Sequence, residues 1–444
     1  MKLKKKQLLL IGFMLFSLFF GAGNLIFPPF LGNEAASNMP LAMLGFIIPA
    51  VVLPVLGVII VAKFNGMEKL AGKVHPKFAI IFTIAILLSI GPGLGIPRAA
   101  SVPFEMAIKP YLNENLPSWL FLLLYSLIFF SIALWLALNP KKLVNRIGYI
   151  LTPLLLTLII ILFVSFSVKG IYNVGIPAPN YQSNVFLKGF CDGYQTMDTI
   201  AALNFGLVIS DTIFSMGVED NKSIVNYTVK TGIIAGLILS IIYIMLSFMG
   251  MATSGVYPGA VNGAYILREI VYQLFGNFGA IFIASIFTLA CLTTCIGLIS
   301  SISKYFSDMF PKLSYKIVAI IITVFSFVIC NLGLNMIISI SSPILDAIYP
   351  ISIVLILLGL FDFLYKDNKF IYPITIASTA VISIIYSFDK IITPDSCNKY
   401  LSYIFGYDLG FGWTTFAVLS IIISIIIDLC VKHKNKKLNE SSAV

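Results

Sequence analysis

The side chains of this chain that could do chemistry are the few charged and polar ones inside its long apolar runs. Arg98 and Asp198 are the clearest cases. A charge at the centre of a membrane helix costs at least about 2.5 kcal/mol, so such residues usually serve a function. Arg98 could bind a substrate, or it could form a structural salt bridge. Its candidate partners are Glu105, Asp198 and Asp346. Asp198 could carry a proton, bind an ammonium group or pair with Arg98.

The first apolar run carries helix-breaking residues at its middle, over residues 20–24 (FGAGN) and at Pro28-Pro29. Each glycine weakens a helix by up to about 1 kcal/mol relative to alanine. An unwound segment at this depth is tolerated only where it lines a cavity inside the protein. In transporters such breaks present N–H groups to carboxylates and carbonyl groups to cations. A small-residue packing face is the alternative, but Asn24 adds a polar group that packing does not need.

A second polar patch lies in the sixth apolar run, over residues 189–198 (GFCDGYQTMD). Asp192 lies near the start of this run, where hydration at the membrane surface is as good an explanation as function. Asp198 lies a turn and a half deeper and is the stronger functional candidate.

The eighth apolar run contains two adjacent hydroxyl residues, Thr293 and Thr294. Their oxygens could ligate a hard cation if other elements supplied further oxygens. Threonine hydroxyls in membrane helices, however, usually bond to carbonyl groups of their own helix. Taken alone, the pair favours this structural role.

The third apolar run carries the largest number of helix breakers, over residues 91–98 (GPGLGIPR). Glycine and proline are the poorest helix formers. The residue pattern alone therefore predicts that this span is the most disrupted of all.

The composition places these residues on membrane-spanning helices. Of the 444 residues, 59% are apolar and 11% are charged, whereas soluble domains carry about 25% charged residues. A span needs about 20 mostly apolar residues, and lipid favours helices because a helix satisfies its own backbone. The predicted spans are residues 7–31, 40–62, 78–108, 118–138, 147–168, 186–215, 231–252, 276–303, 317–332, 335–363, 370–389 and 409–431. Residues 265–275 have the pattern of a short amphipathic surface helix.

The basic residues predict the orientation of the chain in the membrane. The net charge is +10, but the basic residues lie almost entirely between apolar runs, which excludes a nucleic-acid-binding patch. With both termini in the cytoplasm, 22 of the 29 lysines and arginines fall in cytoplasmic segments and six in external ones. The positive-inside rule therefore predicts two cytoplasmic termini and a basic cytoplasmic tail over residues 432–444. Neither the two histidines nor the six cysteines form a spaced ligand set, so no cofactor is predicted.

Four segments taken together resemble the bacterial branched-chain amino acid carrier family, of the amino acid-polyamine-organocation superfamily. They are, in order, residues 20–29 (FGAGNLIFPP), residues 91–98 with Phe104-Glu105, residues 193–198 (GYQTMD) with Ala201-Ala202-Leu203, and residues 289–294 (LACLTT). The one departure is Ala99-Ala100, where a hydroxyl residue is expected. The resemblance covers nearly the whole chain and implies a multi-pass protein of the bacterial cell (inner) membrane.

That family is similar to the leucine-transporter fold, which implies five-plus-five inverted repeats with discontinuous helices 1 and 6. The repeats would cover about residues 7–168 and 186–363, with helices 11 and 12 at about residues 370–431, all in one membrane domain. The third span would then be a pocket wall rather than a broken helix. The substrate-binding residues implied are Ala22, Gly23, Asn24, Tyr194, Thr196 and Asp198, with Arg98 as a further candidate. The implied sodium-site residues are Ser17, Phe20, Ala290, Thr293 and Thr294.

The function implied by the resemblance is secondary active import of leucine, isoleucine and valine, coupled to sodium or proton entry by alternating access. The main alternative is a carrier of the same superfamily for another small amino acid or an amine. A channel would need a continuous polar pore, whereas the polar residues cluster in mid-span patches. A membrane enzyme would need a nucleophile with a base or a metal pair, and the apolar runs contain no histidine.

The predicted orientation can be tested with reporter fusions. Alkaline phosphatase fused after Val444 should be inactive, because it stays in the reducing cytoplasm, whereas the same enzyme inserted after Val261 should be active. An active fusion after Val444 would contradict the predicted orientation.

Overall fold

The computed structural model describes residues 3–112, 117–139, 144–365, 368–391, 403–404, 406–407 and 410–441. Regular structure within these ranges is entirely helical, as predicted. Nine helical segments there are long and apolar enough to cross a membrane, or up to eleven if each of two bent pairs is one span. The sequence predicts twelve, counting residues 7–31 as the first. Residues 442–444 of the predicted tail lie outside the described residues.

The helices follow one another with short connections. They are α1 (Lys5–Phe19), α2 (Ala22–Ala35), α3 (Met39–Ile47), α4 (Leu53–Lys63), α5 (Met67–Gly72), α6 (Pro76–Leu88), α7 (Gly95–Ala107), α8 (Ser118–Ala137), α9 (Thr152–Lys169), α10 (Val185–Tyr194), α11 (Asp198–Ser215), α12 (Asn221–Ala252), α13 (Gly263–Phe275), α14 (Gly279–Met309), α15 (Tyr315–Cys330), α16 (Leu334–Leu360), α17 (Ile371–Ile391) and α18 (Gly412–Ser441). Helix α13 confirms the predicted short amphipathic helix.

The chain forms two compact units. The first comprises Met1–Lys63 and Ile86–Ile340, and it holds both predicted helix breaks. Its main packing pairs are α2 with α12, α3 with α10, and α4 with α11. The second unit comprises Phe64–Ala85 and Ser341–Val444. Within it α17 packs against α18.

The first predicted break lies between α1 and α2. Phe20 and Gly21 leave the helical conformation, and the backbone of Gly21 is extended. The side chain of Asn24 turns back to accept a hydrogen bond from the Gly21 N–H at 2.9 Å. Asn24 therefore caps the first turn of α2, whose N–H groups have no acceptor within the helix.

The sixth predicted span is also broken, between α10 and α11. The two half-helices meet at a 48° bend, and the connection is Gln195, Thr196 and Met197. Met197 has a positive φ of 65°, a conformation that is costly for a residue with a side chain and that clusters at functional sites. These two breaks confirm the predicted discontinuous first and sixth helices.

The third predicted span combines both sequence expectations. Between α6 and α7 lies a π-helical turn over Ser89–Gly93, in which Gly91 has non-helical dihedral angles. The expectation that this span is an unbroken pocket wall is therefore wrong at this turn. A Cβ on Gly91 would lie 2.4 Å from the Ile302 Cδ1 atom, and one on Gly95 would lie 1.9 Å from the Ile90 carbonyl oxygen. The glycines permit this tight turn, as the residue pattern predicts.

Helices α2 and α12 pack backbone against backbone through glycines. A Cβ on Gly32 would lie 1.9 Å from the carbonyl oxygen of Ser247, and one on Gly250 would lie 2.0 Å from that of Pro29. Small residues permit this close approach of membrane helices. Small-residue packing thus occurs in the first span, but at Gly32 rather than at the break.

Substituting Gly32 or Gly250 with alanine should lower the thermal stability of the purified protein, because the added Cβ forces α2 and α12 apart. Overpacking costs about 1–3 kcal/mol, whereas alanine is intrinsically the better helix former by up to about 1 kcal/mol. Gly72→Ala is the matched control, since nothing lies within 4 Å of its Cβ position. Thermal unfolding in detergent measures the difference. Equal unfolding temperatures for Gly32→Ala, Gly250→Ala and the wild type would contradict the close packing.

Candidate functional site

The two helix breaks meet at one cavity in the first unit. A Cβ on Gly23 would lie 3.3 Å from the Thr196 Cα atom and 3.4 Å from the Gln195 carbonyl oxygen, so the breaks are in direct contact. The cavity is lined by residues of α1, α2, α7, α11 and α14 and of their connections. They are Leu18, Phe19, Gly21, Ala22, Gly23, Asn24, Ile90, Gly95, Arg98, Ala99, Thr196, Met197, Asp198, Ala201, Thr294 and Leu298.

Six of the seven predicted substrate-binding residues line this cavity. They are Ala22, Gly23, Asn24, Arg98, Thr196 and Asp198. Tyr194 does not line it. It is the last residue of α10, so the break begins one residue after it, and its ring packs edge-on against Phe190. Asp192 lies toward the other end of α10 and pairs with Lys188.

A buried hydrogen-bond network joins the two breaks. The side-chain amide of Asn24 donates to Asp198 Oδ2 at 2.6 Å and also to the hydroxyl of Tyr243. The Tyr243 hydroxyl donates in turn to the same carboxylate oxygen at 3.0 Å. All three side chains are buried. Asp198 is in the first turn of α11, where the helix dipole stabilises a negative charge.

Arg98 brings a positive charge to the same cavity from α7. Its side chain is 9% exposed, and its Nε atom has no hydrogen-bond partner. The guanidinium carbon lies 5.6 Å from the centre of the Phe27 ring. The predicted salt bridge with Glu105 does not form, because Glu105 pairs with Lys109 at 2.7 Å.

Four of the five predicted cation-site residues form an oxygen cluster between α1 and α14. Thr293 Oγ1 donates to the carbonyl oxygens of Ala290 at 2.9 Å and Ser17 at 3.2 Å. Thr294 Oγ1 lies 3.4 and 3.2 Å from the same two oxygens. The hydroxyls thus bond to their own helix, as the structural alternative predicts, and also reach across to α1. Phe20, the fifth residue, directly precedes Gly21, whose Cβ position is 3.1 Å from Thr294 Oγ1.

Two polar residues of these networks escaped the sequence analysis. Tyr243 lies in the middle of α12, among apolar residues that give no sign of a neighbouring carboxylate. Thr152, at the start of α9, has its hydroxyl 2.7 Å from the Ser17 hydroxyl. A search for hydroxyl residues inside apolar runs would have found both, but it would have found many others as well.

The chain is similar to known transport proteins along almost its whole length. Residues 4–431 match the family model described as branched-chain amino acid transport protein. The chain is 40% identical over 445 residues to the branched-chain amino acid permease BraB of Bacillus subtilis (strain 168), and the match covers 98% of each protein.

Two solved structures have a similar fold. One is a nucleobase-cation-symport-1 family transporter in a closed conformation with bromovinylhydantoin bound. It matches with a TM-score of 0.57 and 13% identity over 95% of this chain and 93% of its own. The other is a sodium-coupled sialic acid symporter in an outward-open state, with a TM-score of 0.56 and 16% identity over 94% and 89%. At these identities the likeness concerns the fold, and it confirms the predicted leucine-transporter-like architecture.

These matches confirm two predictions, the family and the class of transporter rather than enzyme. The family match extends over both units and includes the two breaks and the oxygen cluster. The chain belongs to the branched-chain amino acid transport protein family.

Proposed function

We propose that this protein imports leucine, isoleucine and valine across the bacterial inner membrane, coupled to the entry of sodium or protons by alternating access. The observation that carries the proposal is the contact of both helix breaks at one cavity that also has apolar walls. Breaks of this kind form the substrate and ion sites of transporters. The name of the Bacillus subtilis relative, a branched-chain amino acid permease, supports the substrate class.

The two ends of an amino acid would find complementary groups in the cavity. A carboxylate suits the first turn of α2, where Ala22 and Gly23 present N–H groups at the positive end of the helix dipole. An ammonium group suits Asp198 and the hydroxyl of Thr196. A branched aliphatic side chain would lie against apolar residues such as Leu298. Since an apolar pocket separates side chains by only about 1–3 kcal/mol per methylene, overlapping specificity for the three substrates is expected.

The coupling cation would bind at the oxygen cluster between α1 and α14. The carbonyl groups of Ser17 and Phe20 would face those of Ala290 and the two threonine hydroxyls. Neutral oxygens of this kind, from an unwound segment and a facing helix, suit a sodium ion. A proton is the alternative coupling ion, and no other cofactor is needed.

In the transport cycle, the cation would bind first and join α1 to α14 in the outward-open form. The amino acid would then bind at the breaks, and closure over it would commit both to release on the cytoplasmic side. Because the cation adds affinity only to the form that it binds, it can drive uptake only through that difference. Both termini would lie in the cytoplasm throughout.

The substrate class can be tested by competition. In proteoliposomes, unlabelled isoleucine and valine should inhibit the uptake of labelled leucine at concentrations within about tenfold of leucine itself, because the cavity separates aliphatic side chains weakly. Glycine, lysine and glutamate should not compete. Stronger competition by another small amino acid or an amine would replace the proposed substrates.

Counterflow separates a carrier from a channel. Vesicles preloaded with unlabelled leucine should transiently accumulate labelled leucine, because an alternating-access carrier exchanges the two. Failure to accumulate the label, together with downhill leucine flux, would favour a channel over the carrier mechanism.

The cation site can be tested with the double substitution Thr293→Ala and Thr294→Ala. Removing both hydroxyl ligands should abolish the stimulation of leucine uptake by a sodium gradient, with a fall of tenfold or more in the apparent affinity for sodium (~1.4 kcal/mol). Thr157→Ala is the matched control, since this threonine is exposed and bonds only to the Pro153 carbonyl of its own helix. Unchanged sodium dependence in the double variant would show that the cluster is not the cation site. Uptake driven by a proton gradient alone would instead identify protons as the coupling ion.

A further inference from the structure

Arg98 is a buried charge that lacks an acidic partner. The ion pairs among the described residues do not include it. Of its predicted partners in the first unit, Glu105 pairs with Lys109 and Asp198 is bound by Asn24 and Tyr243. A membrane-buried arginine without a carboxylate is costly, and its planar set of N–H donors matches a carboxylate in two-point fashion. The guanidinium therefore has the capacity to bind an anion that enters the cavity.

The same corner of the cavity has a second source of positive potential. Phe27, over which the Arg98 guanidinium lies, is in α2, and its Cε2 atom is 3.3 Å from the Cβ position of Gly23. One ring thus contacts both the arginine and the first turn of α2. Asn24 Oδ1 satisfies only the N–H of Gly21, whereas the following residue, Ala22, lines the cavity. Helix N-termini of this kind bind anions.

The negative side of the cavity lies at the other break. Asp198 Oδ2 accepts hydrogen bonds from both Asn24 and Tyr243, which fixes the position of its carboxylate. A carboxylate has about four lone-pair sites, so this one can still face a cation. The cavity therefore has a positive side at Arg98 and α2 and a negative side at Asp198, which is the arrangement that suits a zwitterion.

We infer that Arg98 binds the carboxylate of the transported amino acid, together with the N–H groups of α2. This inference rests on the proposed function and adds a requirement to it. A ligand must carry a free carboxylate, and amines or alcohols with the same aliphatic side chain are rejected because Arg98 would be left buried without an anion. The inference separates an amino acid carrier from an amine carrier at the level of one side chain.

The test compares ligands that differ only at the carboxylate. Binding of labelled leucine to the purified full chain is measured, with competition by unlabelled leucine, leucinol and isoamylamine. In the wild type, leucinol and isoamylamine should compete far more weakly than leucine. Arg98→Gln should lower the affinity for leucine by about 30-fold or more and leave that for leucinol within about twofold. Arg98→Lys, which keeps the charge but loses the two-point geometry, should lie between them.

The matched control is Arg146→Gln. Arg146 is also partly buried and lies over an aromatic ring, that of Trp135, but it donates to the Leu136 carbonyl oxygen and is not among the cavity residues. This variant should bind leucine as the wild type does. If Arg98→Gln is too unstable to purify, Arg98→Lys alone carries the comparison of leucine with leucinol.

Several outcomes would overturn the inference. Unchanged leucine affinity in Arg98→Gln would do so while leaving the proposed function intact. An equal loss of leucine and leucinol, reproduced by Phe27→Leu, would show that Arg98 supports the cavity wall instead. If leucine affinity in the wild type depended on chloride and Arg98→Gln removed only that dependence, Arg98 would hold an inorganic anion. A wild type that binds none of the three branched-chain amino acids would overturn the proposed function itself.

Discussion

The side-chain amide of Asn24 joins the two broken helices of the first unit. Its oxygen accepts from the backbone of Gly21, and its nitrogen donates to Asp198 and Tyr243. Inside a membrane, lipid can satisfy none of the backbone groups that a broken helix exposes. One side chain meets this requirement at the first break and at the same time fixes the carboxylate at the second. The cavity, the orientation of its charges and the contact between the breaks all depend on these bonds.

The short segment between Ser17 and Asn24 belongs to both proposed sites. The carbonyl of Ser17 meets the threonine hydroxyls of α14, and Gly21 and Gly23 contact Thr294 and Thr196, respectively. A cation that orders this segment would therefore reduce the ordering cost of the amino acid that binds to it, and the reverse also holds because linkage is reciprocal. Coupling of the two ligands then needs no long pathway through the protein. It needs one segment with two partners.

How much of the site could be predicted from the sequence depended on whether a residue breaks a local rule. Gly23 and Asp198 do so, because a glycine in a span and a buried acid are costly wherever they occur. Tyr243 breaks no such rule, since a tyrosine in an apolar helix is common. Tyr194 was assigned to the cavity by resemblance, but the direction of a side chain depends on where its helix ends, and α10 ends at this residue. The fold followed from hydrophobicity, breaks and resemblance, whereas pairings between distant helices did not.

Glycine contacts tie the outer and inner halves of the broken helices to different neighbours. Beside the contact of α2 with α12, a Cβ on Gly189 of α10 would lie 2.0 Å from the Ala42 carbonyl oxygen of α3. The inner half α11 instead meets α4 through Gly206, whose Cβ position is 2.6 Å from the Val61 Cβ atom. Packed helix interfaces of this kind resist gradual deformation. The dihedral change needed for alternating access is therefore expected at the breaks, where Gly21 and Met197 already leave the helical conformation, and each half can move with the helix against which it packs.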